Sequence, residues 1–349
     1  MNRERVSYAG KRVYIGIDVH RAFFVASCVC EGEVVKRCRM PAKAEAVIEL
    51  IRKHFPQSEV RTCYEGGYSG FWLHRELEAS GISNIVVHAA SIEVAANDRV
   101  KTDKRDSLKM AEQLFTGRLR GIRIPTVKEE HRRLLTRTRE QFMRAKIRVQ
   151  VQIRMRLHQF GIFPSHIERV LRVKDVEELL AMMDGDLQFS IACLYEQWGH
   201  LLFQIRKLDD ELSKHAQSDP LEGIYRSVPG IGPLIARVLS NELGDMSQFP
   251  NERALFSFTG LTPGEYSSGN QVHRGHISRQ GSSRLRHMLV EAAWKAIRKD
   301  DVLKEFYERI AAKSGKKRAI VAVARKLVGR IRAAMRAHKQ YEVGHKKAA

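Results

Sequence analysis

The sequence predicts an α/β fold over its first third and a mostly helical fold over the rest. Short runs rich in β-branched and aromatic residues, separated by turn residues, fill residues 12–88, and such runs are typical of strands. From residue 91 onward, apolar residues recur at helical spacing. We therefore predict four segments in this 349-residue chain: an α/β domain at 12–125, a helical coiled-coil domain at 126–220, a mostly helical domain at 221–312 and a basic tail at 313–349.

The first domain is predicted to begin with three strands in a meander and to continue with strands and helices that alternate. The predicted strands lie at 13–19, 23–29, 33–39, 60–65 and 85–88. The predicted helices lie at 42–54 and 69–79. Glu31-Gly32 is a turn signal between the second and third strands. This order of elements is the one expected of an RNase H-like fold.

An unbroken apolar repeat marks the middle of the chain. Its members are spaced alternately four and three residues apart: Leu187, Ile191, Leu194, Trp198, Leu201, Ile205, Leu208 and Leu212. This 3.5-residue period is typical of a coiled-coil seam. We predict a coiled coil that joins protomers; the alternative is a helical hairpin within the chain, formed with residues 126–160.

Two further segments carry local signals. The turn Val-Pro-Gly-Ile-Gly-Pro at 228–233 resembles the hairpin of a helix-hairpin-helix element. Gly230 and Gly232 would let backbone N–H groups approach a phosphate there, although such turns are also common as simple connectors. Residues 320–335 have amphipathic helical spacing, so the basic tail is predicted to contain a helix.

Composition points to a polyanionic partner. Lys and Arg number 61 against 40 Asp and Glu, which gives a formal net charge of +21, and such an excess is typical of nucleic-acid binding. Residues 118–156 alone hold thirteen Lys and Arg against three acids, so we expect phosphate contacts there, including Arg132 and Arg133. The chain has no run of apolar residues long enough to span a membrane. Neither a signal peptide nor a zinc or disulfide pattern of cysteines is recognisable, so we expect a reduced cytoplasmic protein.

Four carboxylates form the most informative pattern. Asp18 and Glu65 each end a predicted strand, and Asp103 and Asp106 lie three apart at the start of a predicted helix, where both face the same side. Alone, the last two could be ordinary acids of a first helical turn, capped by Thr102. Together the four predict a Mg²⁺ site, with room for two ions, because Mg²⁺ prefers oxygen ligands and activates phosphodiesters. Its flanking cations would hold nucleic acid; they are Lys101, Lys104 and Arg105.

A second constellation lies in a stretch rich in Gly, Ser and Thr at 258–283. Its turns present Ser267 and Ser268, which on physical grounds alone are turn residues. A serine nucleophile would need activation by a base, a metal or cations. The nearby cations that we expect to contact nucleic acid are Arg274, Arg279 and Arg286.

These two constellations resemble those of the DEDD transposases of bacterial insertion sequences, the group of pilin-gene invertases and bridge-RNA-guided recombinases. Asp18, Glu65 and the run Lys-Thr-Asp-x-x-Asp match the four acids of their RuvC-like domain, and Ser268 matches the proposed nucleophile of their second domain. The resemblance covers about residues 12–300. Ser107 stands where alanine is usual and Arg279 where lysine is commoner; neither change removes a catalytic group.

The resemblance implies a Mg²⁺-dependent recombinase that cuts and exchanges DNA through a phosphoserine intermediate. It also implies a dimer or tetramer, a structured noncoding guide RNA that pairs with donor and target DNA, and action in the cytoplasm of a bacterial or archaeal cell. Two alternatives stay open on the sequence. One is a hydrolytic nuclease of the junction-resolving kind that uses only the four acids. The other is a non-catalytic nucleic-acid-binding protein.

Overall fold

The structure is a computed structural model that describes residues 7–94, 102–162, 171–268, 271 and 274–344. The chain divides into two compact units, Met1–Ile124 and Pro125–Ala349. The first unit is a mixed α/β structure and the second is mainly helical, which confirms the coarse fold prediction.

A five-stranded sheet organises the first unit, with strand order β3-β2-β1-β4-β5. The strands are β1 (Arg12–Val19), β2 (Phe23–Cys30), β3 (Glu33–Pro41), β4 (Glu59–Glu65) and β5 (Ser83–Val87). The helices are α1 (Ala44–His54), α2 (Trp72–Ala79) and α3 (Asp103–Phe115). β1, β2 and β3 are antiparallel, whereas β1, β4 and β5 run parallel. This topology is consistent with an RNase H-like fold.

Different helices cover the two faces of this sheet. Along β1, the side chains of Val13, Ile15 and Ile17 alternate to one face and pack with Val47 of α1 and Leu73 of α2. The other face carries α3, over a smaller cluster of buried residues: Cys63, Val87, Met110 and Leu119. Because both faces are buried, β1 reads as a mostly apolar run, and its charged residues Arg12 and Asp18 lie at or next to its ends.

Two long helices, α4 (Val127–Gln159) and α6 (Gly185–Gln217), pack against each other in the second unit. At 1.5 Å per residue each is about 50 Å long. The predicted seam lies along α6, and its members Ile191, Trp198, Ile205 and Leu212 are buried. Ile191 and Trp198 share a core with Ile153 of α4. The seam is therefore used within the chain, as in the helical-hairpin alternative.

α5 (Val173–Leu180) packs in the same core as α4 and α6. The remaining helices of the second unit share another core; they are α7 (Glu222–Arg226), α8 (Pro233–Leu243), α9 (Glu252–Thr259), α10 (Ser283–Ala296), α11 (Asp301–Ser314) and α12 (Lys316–Arg336). A short hairpin of β6 (Pro263–Glu265) and β7 (Arg274–Ile277) joins α9 to α10. The predicted tail helix exists as α12, and its apolar face, with Val323 and Leu327 fully buried, belongs to the same core as Leu239 and Leu289.

Glu242 is the centre of a buried ion-pair group that ties α4, α8 and α10 together. Its carboxylate accepts two hydrogen bonds of 3.0 Å from Arg137 and lies 3.4 Å from Arg284. Arg284 also pairs with Glu140 at 2.6 Å. The Glu242 side chain is only 6% exposed, so its charge depends on these arginines for compensation.

Two further findings concern the chain as a whole. All five cysteines lie in the described ranges and are free thiols. None of the described helices combines the length and apolar character of a membrane span.

Candidate active site

The carboxyl ends of β1 and β4 carry the first two predicted acids. In the register of these parallel strands Ile17 pairs with Tyr64, so Asp18 and Glu65 follow at the same level of adjacent strands. The carboxyl ends of parallel strands are where α/β sheets commonly bind ligands. Glu65 is exposed there, and Asp18 is half-buried.

A close approach of α3 to β1 brings the other two acids to this edge. At Gly16, an added Cβ would lie 2.6 Å from the amide nitrogen of Ala111 and 2.9 Å from Cβ of Met110. The hydroxyls of Ser27 and Ser107 meet at 2.9 Å beneath the same helix, and both residues are fully buried. Thr102 caps α3 by accepting from the backbone N–H of Arg105, as predicted. α3 therefore starts beside the end of β1.

Asp18, His20 and Asp103 form a compact group of potential metal ligands. Nε2 of His20 lies 3.1 Å from Oδ2 of Asp18 and 3.4 Å from Oδ2 of Asp103, and one ligand atom from each residue lies within 4.8 Å of the others. Asp18 is 22% exposed and Asp103 49% exposed. Asp18 is thus held on the sheet, whereas Asp103 at the start of α3 is open to solvent.

The electrostatics of the group favour a bound cation. Burial raises the pKa of Asp18 most, and the charges of Asp103 and Asp106 raise it further, while His20 opposes the shift. Carboxylates that are held together in this way repel each other unless a proton or a cation neutralises them. Carboxylate oxygens suit Mg²⁺, and an imidazole nitrogen suits transition metals better, so the donor set fits a divalent cation.

The structure gathers the predicted acids unequally. Asp106 lies one turn along α3, close enough to affect the pKa of Asp18, and Nζ of Lys109 lies 3.9 Å from it. Glu65 lies on the neighbouring strand end and is not a member of the compact group. His20 is a member that the sequence prediction missed. The available signal was its position two residues after Asp18, which puts both side chains on one side of an extended chain.

The predicted nucleophile lies in the second unit, on the β6–β7 hairpin. Ser268 forms a bridge with Gln271, in which each backbone N–H donates to the other's carbonyl at 3.2 Å, and Ser268 is exposed. The hydroxyl of the adjacent Ser267 donates to Oε1 of Glu265 at 2.9 Å. The two serines therefore differ in their surroundings, because the described contacts tie only Ser267 to a carboxylate.

Several cations predicted to contact nucleic acid have defined positions. Lys104 and Arg105 are exposed in the first turn of α3, beside the acids. Arg133 instead donates to backbone carbonyls at the end of α8, at 3.0 Å to Asn241. The neighbouring Arg132 is half-buried, and its carbonyl accepts from the Asn241 side chain at 2.9 Å. Lys101 lies outside the described residues, as does the side chain of Arg274.

Gly230 and Gly232 differ in what surrounds them. At Gly230 the backbone is left-handed, with φ 87°, and an added Cβ would lie 2.5 Å from the carbonyl oxygen of Ala292 on α10. Close packing therefore accounts for this glycine. Gly232 is exposed at the start of α8, and nothing lies within 4 Å of an added Cβ, so only this glycine keeps its backbone open to a ligand.

Arg279 and Arg286 lie near each other where the chain returns from the hairpin to α10. Arg279 is exposed and has a left-handed backbone, with φ 58°. Burial lowers the pKa of Arg286, and the charge of Arg279 lowers it further. Gly260 and Gly281 pack so closely here that a side chain on either would meet backbone or Arg286. Close backbone packing thus fixes this segment next to the positive charges of Arg279 and Arg286.

Two family models match the chain, one over the first unit and the start of the second, and the other within the second unit. The model of the IS110-type DEDD transposases matches residues 15–162, which include the Asp18 group. The model of the transposase IS116/IS110/IS902 family matches residues 223–308, which include Ser268.

Three curated relatives match over most of their length. A putative transposase of Sinorhizobium fredii, y4rJ, is 27% identical over 90% of this chain and 90% of its own. The transposase for insertion sequence element IS1533 of Leptospira borgpetersenii is 24% identical over 95% and 96%. The transposase for IS1111A of Coxiella burnetii is 23% identical over 99% and 97%.

Proposed function

The chain belongs to the IS110 family of insertion-sequence transposases, and from this premise we propose that it cuts and exchanges DNA strands with Ser268 as nucleophile. The observation that carries the proposal is the group of Asp18, His20 and Asp103 at the carboxyl edge of the sheet, in a chain whose second unit exposes a serine hairpin.

We propose that Asp18 and Asp103 hold Mg²⁺, with Asp106 and Glu65 completing the ligand set, for one ion or two. Mg²⁺ bound there would supply stabilisation of the charge that develops on the phosphate oxygens. The protein's own contribution is position, because Gly16 of β1 and the hydrogen bond between Ser107 and Ser27 of β2 fix α3, and with it Asp103, against these two strands.

The serine step conserves the energy of the phosphodiester bond. Oγ of Ser268 attacks the phosphorus, the hydroxyl proton passes to a base, and one sugar oxygen of the DNA leaves as a protonated hydroxyl. The product is a phosphoserine ester on one strand end. A hydroxyl of the partner strand then attacks this ester, which joins the strands and regenerates Ser268.

The test is a search for the covalent intermediate. Purified protein is incubated with DNA that carries the element's junction, RNA from its flank and Mg²⁺, and the adduct is mapped by mass spectrometry. We expect attachment at Ser268, loss of the adduct in Ser268→Ala and in Asp103→Asn, and its retention in the matched control Ser267→Ala. Attachment at Ser267, or strand transfer that survives Ser268→Ala, would overturn the assignment.

A hydrolytic nuclease is the second candidate. The observation that favours it is that Asp18, His20 and Asp103 all belong to the first unit, so this acid group assembles without Ser268. A hydrolytic enzyme would cleave DNA with no adduct, and Ser268→Ala would cleave as the wild type does. Loss of strand transfer in Ser268→Ala, with Mg²⁺-dependent stabilisation retained, would exclude it.

We propose that the protein acts as a dimer or tetramer that also binds a noncoding guide RNA, in the cytoplasm of a bacterial or archaeal cell. The net charge of +21 supports polyanion binding.

An exposed apolar stripe on α4 supports association: Ile147, Val151 and Met155 are 52%, 41% and 58% exposed. Val151→Asp should lower the oligomer mass in light scattering, whereas Gln152→Asp, an exposed neighbour, should not. If RNA from the element's flank does not stimulate strand transfer, the proposed role of a guide RNA is wrong.

A further inference from the structure

A cavity of about 780 Å³ lies between the β6–β7 hairpin and the start of α12; we call it the hairpin cavity. Its apolar lining includes Leu261, Ile277, Ile310, Val321 and Ala322. Its cationic lining is Arg279, Lys316, Lys317, Arg318 and Arg325. Its size falls in the range of about 300–1,000 Å³ that is typical of ligand sites, and a DNA duplex would not fit inside it.

The charge of the hairpin cavity is one-sided. Five cations and His276 line it, and none of its lining residues is acidic. Three of the cations, Lys316–Arg318, are exposed in the first turn of α12, which contains no acid. Arg325 stacks its guanidinium over the ring of Phe256 at 4.5 Å, which fixes its position. Like charges gathered at one opening repel each other, and an anion bound among them would remove this cost.

The combination of a cationic rim and an apolar floor is selective. Phosphate groups suit Lys and Arg, and the faces of bases and sugars suit apolar side chains, so single-stranded nucleic acid matches both features. A free phosphate would use the rim and leave the floor of Leu261, Ile277 and Val321 without a partner.

The hairpin cavity is close to the proposed nucleophile along the chain. Gly275 of its wall lies four residues after Gln271, which is bridged to Ser268. Four residues span at most about 14 Å. At about 3.4 Å per nucleotide of one strand, the span from Gln271 to Gly275 corresponds to about four nucleotides or fewer.

We propose that the hairpin cavity holds the stretch of single DNA strand that flanks the phosphate attacked by Ser268. The inference rests on the proposed function and adds to it the surface that positions the strand. Arg279 and the α12 cations contact the backbone phosphates, while Ile277, Val321 and Ala322 contact a base or sugar.

Three variants test this inference by fluorescence anisotropy with a labelled single-stranded DNA of mixed sequence. The double variant Lys317→Ala/Arg318→Ala removes two phosphate contacts, and we expect a salt slope smaller by about 1.4, at about 0.7 per contact. The affinity should fall by about tenfold or more, because hydrogen bonds to charged groups are strong. Ala322→Trp fills the cavity without changing charge and should weaken binding too. The charge-matched control is Arg298→Ala/Lys299→Ala, two exposed residues that do not line the cavity.

Each outcome decides the inference. Weaker DNA binding by the double variant and by Ala322→Trp, with a normal control and unchanged melting temperatures, supports it. An equal loss in the control, or unchanged binding by Ala322→Trp, shows only long-range attraction and overturns it. A loss that is equal or greater for RNA of the same sequence overturns the assignment to DNA. The proposed function fails separately, when the wild-type protein forms no Ser268 adduct.

Discussion

Gly16→Ala should separate Asp103 from Asp18 and His20, although it substitutes none of these three residues. The added Cβ would lie closest to the carbonyl oxygen of Ser107, 2.6 Å from the Ala111 nitrogen and 2.9 Å from Met110 Cβ. Two of these are backbone atoms of α3, so no side-chain rotation relieves the overlap. Ordinary van der Waals contact begins at 3.4 Å, and the amide at Ala111 must therefore recede by about 0.8 Å or more.

The cost has two parts. Overpacking of this kind costs about 1–3 kcal/mol, and the buried hydrogen bond between Ser27 and Ser107, if it is stretched out of range, adds about 1 kcal/mol. A total of about 3 kcal/mol would lower the melting temperature of a domain of this size by roughly 10 °C. The same shift moves Asp103 away from Asp18, so metal binding should weaken even where the fold persists.

The assay is thermal melting with and without Mg²⁺ or Mn²⁺, followed by strand transfer. The matched control is Gly67→Ala, because nothing lies within 4 Å of an added Cβ at Gly67. We expect Gly16→Ala to melt lower and to lose stabilisation by the metal, while Gly67→Ala keeps both. A Gly16→Ala protein that melts like the wild type and is stabilised equally by metal would refute the role assigned to this close approach.

Three other outcomes follow from the same structure. Burial and neighbouring acids raise the pKa of Asp18, so its ionised form destabilises the metal-free fold above that pKa. Asp18→Asn should therefore melt at a higher temperature than the wild type in chelator at pH 7, and the difference should vanish below about pH 3.9. A lower melting temperature of the variant at pH 7 would contradict this. Glu242→Gln should lower the free energy of unfolding by about 3 kcal/mol in urea denaturation, because it removes a carboxylate that compensates Arg133 and Arg284, which are only 15% and 13% exposed; an effect under about 1 kcal/mol would count against the ion-pair group. Alkylation of the native protein should modify exposed Cys193 and spare Cys28, whose burial raises its thiol pKa to about 12; equal labelling would show that the sheet is open.

The sequence predicted the sheet well because strand signals here are local. β-branched runs and turn residues mark each strand, and the strand-end positions of Asp18 and Glu65 follow from where those runs stop. The close meeting of α3 with β1 could not be predicted, because it depends on Gly16 facing Ser107 across ninety residues of chain. His20 was missed for a related reason: its role depends on Asp103 reaching it from another element.

The β6–β7 hairpin and the ion pairs of the second unit show a different limit. Short strands with register shifts leave no alternating pattern, so the stretch around Ser268 reads only as turns. The Glu242 group joins residues that are about one hundred positions apart on α4 and α8. A sequence gives the number of charges and not their partners.

This limit changes where nucleic acid should be sought. The one-sided excess of cations on α4 predicted phosphate contacts, yet Arg133 bonds to the end of α8, Arg137 to Glu242, Arg139 to Asp209 and Arg144 to Glu140. A guanidinium that is already paired with a carboxylate gains less from a phosphate, because it would have to break the first pairing; this holds most strongly at Glu242, which is only 6% exposed. None of the residues that line the hairpin cavity is acidic, and its cations Lys317 and Arg318 are exposed at the start of α12. We therefore expect variants of Lys317 and Arg318 to weaken DNA binding more than variants of Arg137 and Arg139 that remain folded.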